Sequence, residues 1–248
     1  MRRNVIITGS NRGLGKAFTE KFAANNYDIW ACARRETEEF VLMIENLSAE
    51  TGARITPVYF DLTDEKAMRD AMKKIFSEKK NIDVLINNAG IAHGGAFTMT
   101  PVSKMREVYE VNVFAQVNIM QMVSRKMMRQ KDGGCIINMC SVAGIFFNPG
   151  FLAYGSSKAA LIWITRMAAK ELGKYNIRVN GIAPSFADTD MGHFNPPEKI
   201  KEHLEAMGLP AGMLSPKEIA DVAFYLASDS SQSITGHILQ ISREGWSS

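Results

Sequence analysis

Asn4-Val5-Ile6-Ile7-Thr8-Gly9-Ser10-Asn11-Arg12-Gly13-Leu14-Gly15-Lys16-Ala17 is the stretch on which the fold turns. A short Val/Ile run passes directly into Gly-x-x-x-Gly-x-Gly, and an amphipathic stretch over 14–26 follows. The run suits a strand buried on both faces. Gly9 permits a tight turn, Gly13 lets backbone approach a pyrophosphate, and Gly15 allows close packing of helix on strand. The helix then turns its positive end toward the phosphates. An ordinary strand–helix turn is the plainer alternative. The position of the glycines at the first strand–helix junction of a βαβ unit favours dinucleotide binding.

Outward from this loop, short apolar runs at 5–8, 27–33, 54–60, 83–87, 135–140, 178–182 and 237–241 read as strands. Between them, amphipathic stretches at 14–26, 36–51, 64–79, 101–130, 153–174 and 216–228 read as helices. Such alternation predicts an α/β fold: a Rossmann-type, doubly wound sheet of seven parallel strands with helices on both faces, one domain over 1–248. Ser215-Pro216-Lys217-Glu218 has the form of a capping box with proline at the first helical position. Thr63, ahead of Asp64 and Glu65, suits another helix start. The long irregular stretch at about 184–215 contains Pro184, Pro196, Pro197 and Pro210. It is expected to be a lid over an active site, with Met191, Phe194, Met207, Leu209 and Met213 as an apolar wall.

The bulk properties narrow the function. The 248 residues are 46% hydrophobic and 22% charged, enough to fill a sizeable core. A net charge of +3, with basic residues spread along the chain, argues against nucleic acid or an anionic membrane as partner. No apolar run approaches the ~20 residues of a spanning helix. Val5-Ile6-Ile7 after Met1-Arg2-Arg3 is too short for a signal peptide, so a cytoplasmic location is expected. Cys32, Cys135 and Cys140 are odd in number and lack C-x-x-C spacing, which suits small buried hydrophobes in a reducing compartment. His93, His193, His203 and His237 lack ligand spacing, and no metal site is expected.

Tyr154 and Lys158 stand four apart on an expected helix, which puts them on one face. A free tyrosine has a pKa of about 10; a neighbouring ammonium stabilises phenolate and is expected to lower it. Tyr154 would then give a proton to a carbonyl oxygen, or take one from an alcohol. A tyrosine four before a lysine is common on helices and alone proves little.

The order and spacing of several motifs make the chain resemble the short-chain dehydrogenase/reductase family over nearly its whole length, nearest to the 3-oxoacyl-carrier-protein reductase type. The carriers are the loop Gly9–Gly15, Asp61-Leu62, Asn87-Asn88-Ala89-Gly90, Asn112, Ser141 and Tyr154-Gly155-Ser156-Ser157-Lys158. The resemblance implies an oxidoreductase passing a hydride between a nicotinamide cofactor and a carbonyl or alcohol. It makes Asn112, Ser141, Tyr154 and Lys158 catalytic. Ser141 would orient the substrate oxygen, Lys158 would also reach the nicotinamide ribose, and Asn112 would hold a water in a proton relay. Gly9, Ser10, Asn11, Arg12, Gly13, Leu14 and Gly15 would form the phosphate loop. Asp61 and Leu62 would flank the adenine, and Asn88, Ala89 and Gly90 would line the cofactor. Pro184, Ser185, Phe186 and Thr189 would lie on the nicotinamide side. At Ala33, family members that use NAD carry an acid; here Arg34 and Arg35 follow instead. With Arg12, Arg34 is expected to hold a 2′-phosphate, which gives NADP(H) as the cofactor. Solvated surface arginines are the plainer alternative.

The substrate is less constrained. His93, Val142, Phe147 and Phe151 join Ser141 and Tyr154 as pocket candidates, with Ile91, Gly94, Ala143 and Ile145; His93 can equally be a satisfied or exposed histidine. A 3-oxoacyl thioester is the leading expectation. A sugar, polyol or secondary-metabolite ketone is the alternative, and a non-catalytic sensing or scaffold protein a third. The chain departs from the reductase type in three places. Asp132 and Tyr175 stand where carrier-docking arginines are usual, although Arg129, Lys131 and Lys174 are near. Pro184-Ser185 replaces Pro-Gly, and Ser242-Arg243-Glu244-Gly245 replaces an acid followed by two glycines. The resemblance also implies a homotetramer (or dimer) joined through the long helices, the last helix and the last strand. The methionine-rich faces (Met120, Met122, Met127, Met128) suit core or subunit contact.

Overall fold

The computed structural model describes residues 2–147, 149–189 and 213–243. Seven strands form one parallel sheet: β1 (Arg3–Thr8), β2 (Tyr27–Ala33), β3 (Ile55–Tyr59), β4 (Val84–Asn87), β5 (Gly134–Met139), β6 (Ile177–Pro184) and β7 (Ile238–Ile241). Their spatial order is β3-β2-β1-β4-β5-β6-β7. The chain leaves β1 in one direction and returns to its other side at β4, with Val5 opposite Val84 and Ile7 opposite Ile86. That reversal opens a crevice at the carboxyl ends of β1 and β4, where doubly wound sheets bind ligands. All seven strands lie within two residues of the sequence expectation.

The helices are α1 (Gly13–Ala23), α2 (Glu38–Thr51), α3 (Glu65–Ser77), α4 (Val102–Tyr109), α5 (Ala115–Met127), α6 (Leu152–Leu172) and α7 (Pro216–Ala227). Strand alternation assigns them to two layers. Val5 and Ile7 pack into a core with Phe18 and Phe22 of α1, Phe40 and Ile44 of α2 and Leu226 of α7. Ile6, between them, packs on the opposite side with Met72 and Ile75 of α3 and Ile119, Val123 and Met127 of α5. Local chemistry sets the helix ends. Ser215 and Glu218 complete the expected capping box on α7. At α3 the cap is Asp64, which accepts from the Ala67 N–H at 2.9 Å, rather than Thr63.

Two expectations need correction. The stretch 101–130 is not one regular helix: a π-helical turn, Glu110–Phe114, separates α4 from α5, and the Ala115 N–H donates to the Glu110 carbonyl five residues back. The basic residues are also gathered by the fold. The carboxyl ends of α3 and α5 meet, and segments 73–80 and 125–132 hold eight Lys/Arg against two acids, while the whole chain nets only +3. Phe76, Met122, Arg125, Lys126 and Arg129 line a cavity of about 410 Å3 there. Helix carboxyl ends favour such cations. Among the described residues no helix is long and apolar enough to cross a membrane. The expected lid falls mostly on 190–212, outside the described residues; 184–189 and 213–215 are described.

Candidate active site

The glycine loop is closed by a backbone approach at Gly15 that leaves no room for a side chain there. A Cβ on Gly15 would lie 1.8 Å from the Gly9 carbonyl oxygen. Gly9 and Gly13 take φ of +69° and +51°, the left-handed region that favours glycine. Thr8 laces the crevice together: its hydroxyl accepts from the N–H groups of Asn88 at 2.9 Å and Ala89 at 3.0 Å. The Asn88 amide donates back to the Thr8 carbonyl at 2.9 Å. Helix α1 starts at Gly13 with no side-chain cap from Arg12, so its first N–H groups are directed at the crevice mouth. Asn11 and Arg12 are exposed and Leu14 packs on the core. Ser10, expected to face a cofactor, is instead fully buried, and its hydroxyl donates to the Ile7 carbonyl at 2.8 Å. It closes the turn.

At the outer end of the crevice the Arg34 guanidinium stands 3.5 Å from the Asp61 carboxylate. The Thr63 N–H and hydroxyl hold that carboxylate below its usual range, with a smaller contribution from Arg34. Arg34 and Arg35 are exposed, and Leu62 is half-buried. On the inner side Pro184 ends β6, and the Ser185 N–H donates to the Ile241 carbonyl at 2.9 Å. Ser185 keeps a negative φ, so the replaced glycine leaves no strain. Ala187 and Leu214 form a bridge that folds the segment back past Phe186. Thr189 comes to rest 3.5 Å from where a Gly13 Cβ would stand.

The catalytic candidates converge from three elements. Tyr154 and Lys158 lie one turn apart on α6, Ser141 follows β5, and Asn112 sits in the π-helical turn. The Ser141 side chain caps a short turn over Val142–Gly144, accepting from the Ala143 N–H at 3.2 Å. It also hydrogen-bonds the Tyr154 phenol. Two glycines seat that turn on α6. A Cβ on Gly144 would lie 2.7 Å from the Ala159 nitrogen, and one on Gly155 would lie 2.6 Å from the Ala143 carbonyl oxygen. Sequence reasoning assigned neither glycine a role, although a glycine inside a helix costs stability and so asks for a packing reason.

The electrostatics overturn one expectation. Burial pushes the Tyr154 phenol up, and the Ser141 hydrogen bond only partly offsets it. Lys158 is not among the groups that lower it, and burial pulls the ammonium itself down to about 8. Its Nζ donates to the Met139 carbonyl at 2.6 Å and lies 5.6 Å from the centroid of the Tyr154 ring.

Asn112 is fully buried and engaged: its amide donates to the Ile91 carbonyl at 2.8 Å and Ser157 Oγ at 3.1 Å, and its oxygen accepts from the Ile91 N–H at 2.9 Å. It thereby fixes the chain leaving Gly90. Gln116, absent from the sequence candidates, donates to the Ala89 carbonyl at 2.6 Å and ties the same loop to α5. Among the pocket candidates, Val142 is buried, His93 is half-buried, and the Phe151 ring lies 6.2 Å from that of Tyr154. Phe147 is fully exposed and lines no closed pocket.

A doubly wound parallel sheet, with a glycine loop at its switch point and a tyrosine–lysine pair beside it, defines a nicotinamide-dependent oxidoreductase. The chain belongs to the short-chain dehydrogenase family, whose family model matches residues 3–199. Within it the chain stands near the 3-oxoacyl-carrier-protein reductase type. It is similar to the 3-oxoacyl-(acyl-carrier-protein) reductase FabG of Thermotoga maritima, with 35% identity over 95% of this chain and 94% of that one. Among solved structures it is similar to a 3-oxoacyl-(acyl-carrier protein) reductase with bound NAD from Brucella melitensis, at 30% identity and a TM-score of 0.85, covering 96% of this chain and 89% of that one. It is equally similar to a 7α-hydroxysteroid dehydrogenase complexed with NADH and 7-oxo glycochenodeoxycholic acid, at 30% identity and a TM-score of 0.88, covering 98% and 94%.

Proposed function

We propose that the protein is an NADP(H)-dependent ketoreductase of 3-oxoacyl thioesters, in which Tyr154 is the proton donor. The convergence of Ser141, Tyr154 and Lys158 beside the glycine crevice carries this reading. The loop suits the dinucleotide: backbone N–H groups at the start of α1, and glycines at Gly9 and Gly15 where side chains would collide. The end of β2 offers Ala33, Arg34 and Arg35 rather than a carboxylate, and Arg34 and Arg12 would hold a 2′-phosphate. Asp61 and Leu62 would border the adenine, with Asn88, Ala89, Gly90, Pro184, Ser185, Phe186 and Thr189 along the cofactor.

The cofactor, when bound, supplies a hydride to the carbonyl carbon. Ser141 orients the carbonyl oxygen, and Tyr154 gives it a proton. Burial favours the neutral phenol, the form that can donate. Lys158 holds positive charge beside the ring. A relay water at Asn112 would bond its main chain, since the side-chain amide is taken by Ile91 and Ser157.

Similarity to the Thermotoga reductase supports the acyl thioester, and similarity to the steroid dehydrogenase supports a second reading, a hydroxysteroid substrate. Exposed Phe114, Trp163 and Met167, in the π-helical turn and on α6, suit subunit contact in a homotetramer. The segment at about 184–215, whose start lies against Gly13, would cover the substrate within a single domain. The test follows NADPH absorbance with acetoacetyl thioester, β-ketoesters, diketones, ketose sugars and a keto-steroid, with NADH in parallel. Thioester turnover with NADPH preferred supports the proposal; turnover of the steroid alone favours the second reading. Reaction with sugars alone overturns both.

A further inference from the structure

One peptide bond, Ala89–Gly90, stands between the two halves of the site. On one side Ala89 packs on the glycine loop: a Cβ on Gly9 would lie 3.1 Å from the Ala89 Cα. On the other side a Cβ on Gly90 would lie 3.1 Å from Asn112 Oδ1 and 3.7 Å from Lys158 Nζ. The place of this peptide therefore sets the gap from the glycine loop to Lys158. It is held from both ends. The Ala89 N–H donates to the Thr8 hydroxyl at 3.0 Å, and the Ala89 carbonyl accepts from Gln116 Nε2 at 2.6 Å. Asn112, one turn before Gln116, holds both backbone groups of Ile91.

Gln116 is 1% exposed, and so is Asn87. Their side-chain oxygens have no hydrogen-bond partner among the described residues. Turning the amides over does not help. The Gln116 nitrogen already meets a carbonyl oxygen, so its own oxygen cannot take that place. Asn87 ends a chain of fixed polarity. The Thr165 hydroxyl donates to the Leu161 carbonyl at 2.7 Å and accepts from the Asn138 amide at 2.9 Å, and the Asn138 oxygen accepts from the Asn87 amide at 3.0 Å. Both oxygens thus call for a donor that the described side chains do not supply. They belong to one ring of contacts. The Asn138 amide also reaches the Met120 sulfur at 3.3 Å, Met120 lies one turn beyond Gln116 on α5, and Gln116 returns to Ala89, two residues after Asn87. A water molecule carries two O–H donors and fits such a pair of acceptors.

Resting on the reading of the crevice as a dinucleotide site, we infer that Gln116 is a positioning residue for the cofactor. One buried water donates to Gln116 Oε1 and Asn87 Oδ1, and so fixes the amide that holds the Ala89–Gly90 peptide at the wall of the crevice. Its role is support; it moves no proton in the reaction.

The test compares wild type with Gln116→Met, which keeps the length of the side chain and removes both the donor and the acceptor. The dissociation constant for NADPH, by fluorescence titration, should rise about fivefold, the worth of one hydrogen bond. NADH should weaken by the same factor, because the contact lies at the peptide beside Gly9 and Lys158 and not at Arg34. In turnover the loss should fall on KM for the cofactor more than on kcat. Two readouts need no cofactor. A high-resolution crystal structure of wild type should show one solvent peak within hydrogen-bond distance of both Asn87 Oδ1 and Gln116 Oε1, and hydrogen exchange at the Ala89 and Ile91 amides should be faster in the variant. Both results support the inference even if wild type binds neither NADPH nor NADH, and in that case the dinucleotide reading falls alone. Equal cofactor affinity in wild type and variant, or solvent on only one oxygen or neither, overturns the inference and leaves the dinucleotide reading standing.

Discussion

At the β1–α1 turn, geometry is set largely by close backbone approach: Gly15 touches the Gly9 carbonyl, the Thr8 hydroxyl laces to the Asn88 and Ala89 N–H groups, and Ser10 closes the turn itself. At the amino end of α6 the arrangement is made by side chains drawn from the turn after β5, from α6 and from the π-helical turn, and those of Ser141, Lys158 and Asn112 are restrained by one to three hydrogen bonds. The first region tolerates no substitution at its glycines yet carries no chemistry. The second has room for conservative exchange, and each exchange removes a reactive group. A backbone cradle should therefore fail by losing fold and binding together, and a side-chain cluster by losing turnover alone.

Tyr154→Phe gives the largest expected effect. Removing the proton donor should lower kcat about 10³-fold, within the usual range for general acids, while NADPH affinity by fluorescence titration changes less than twofold. A parallel loss of binding would mean that the cluster is structural in the same sense as the loop. Next is Gly15→Ala. A methyl group 1.8 Å from a backbone oxygen forces a shift of strand or helix, costing about 3 kcal/mol. Thermal unfolding should show a lower Tm together with weakened NADPH; full stability would show that the cradle is softer than its contacts imply. Arg34→Ala divides the first region more finely: NADPH binding should weaken by about 1.5–3 kcal/mol through loss of a charge-assisted contact, with NADH nearly unaffected. Equal weakening would assign Arg34 to holding Asp61 rather than a phosphate.

The smallest effect concerns Lys158. Its folded pKa of about 8 lies below the ordinary 10.5, so the folded state binds fewer protons between those values. Stability should thus rise with pH across that window. Denaturant midpoints of wild type, compared with Lys158→Met, should show wild type gaining about 1 kcal/mol between pH 8 and 9. A flat difference would place the lysine in water, as a surface ammonium.

The sequence displayed these two regions unequally. Glycine spacing at 9, 13 and 15 is legible because sterics admit no other residue, and the Tyr154–Lys158 spacing because a helix repeats near four. The strands were legible because burial on both faces leaves uninterrupted Val/Ile runs. What escaped depends on contacts far apart in the chain. The direction of the Tyr154 shift follows from burial, and the lysine expected to oppose it donates to Met139, nineteen residues away. The side chain of Asn112 is spent on Ile91, twenty-one residues back. The basic end of α3 and α5 exists only once two helices meet; a running count of charge shows each half but not that they join.

The π-helical turn at Glu110–Phe114 has a consequence for inheritance. One additional residue within a turn rotates everything beyond it by about 100° relative to an uninterrupted helix. The segment therefore behaves as two gears on one shaft, with α4 and α5 indexed separately. Loss of a single codon between Glu110 and Phe114 would not merely shorten the shaft. It would re-index α5 so that Ile119, Val123 and Met127 left the sheet and their polar neighbours took their place. Insertions and deletions in descendants of this chain should accordingly avoid these five positions, even where point substitutions are tolerated.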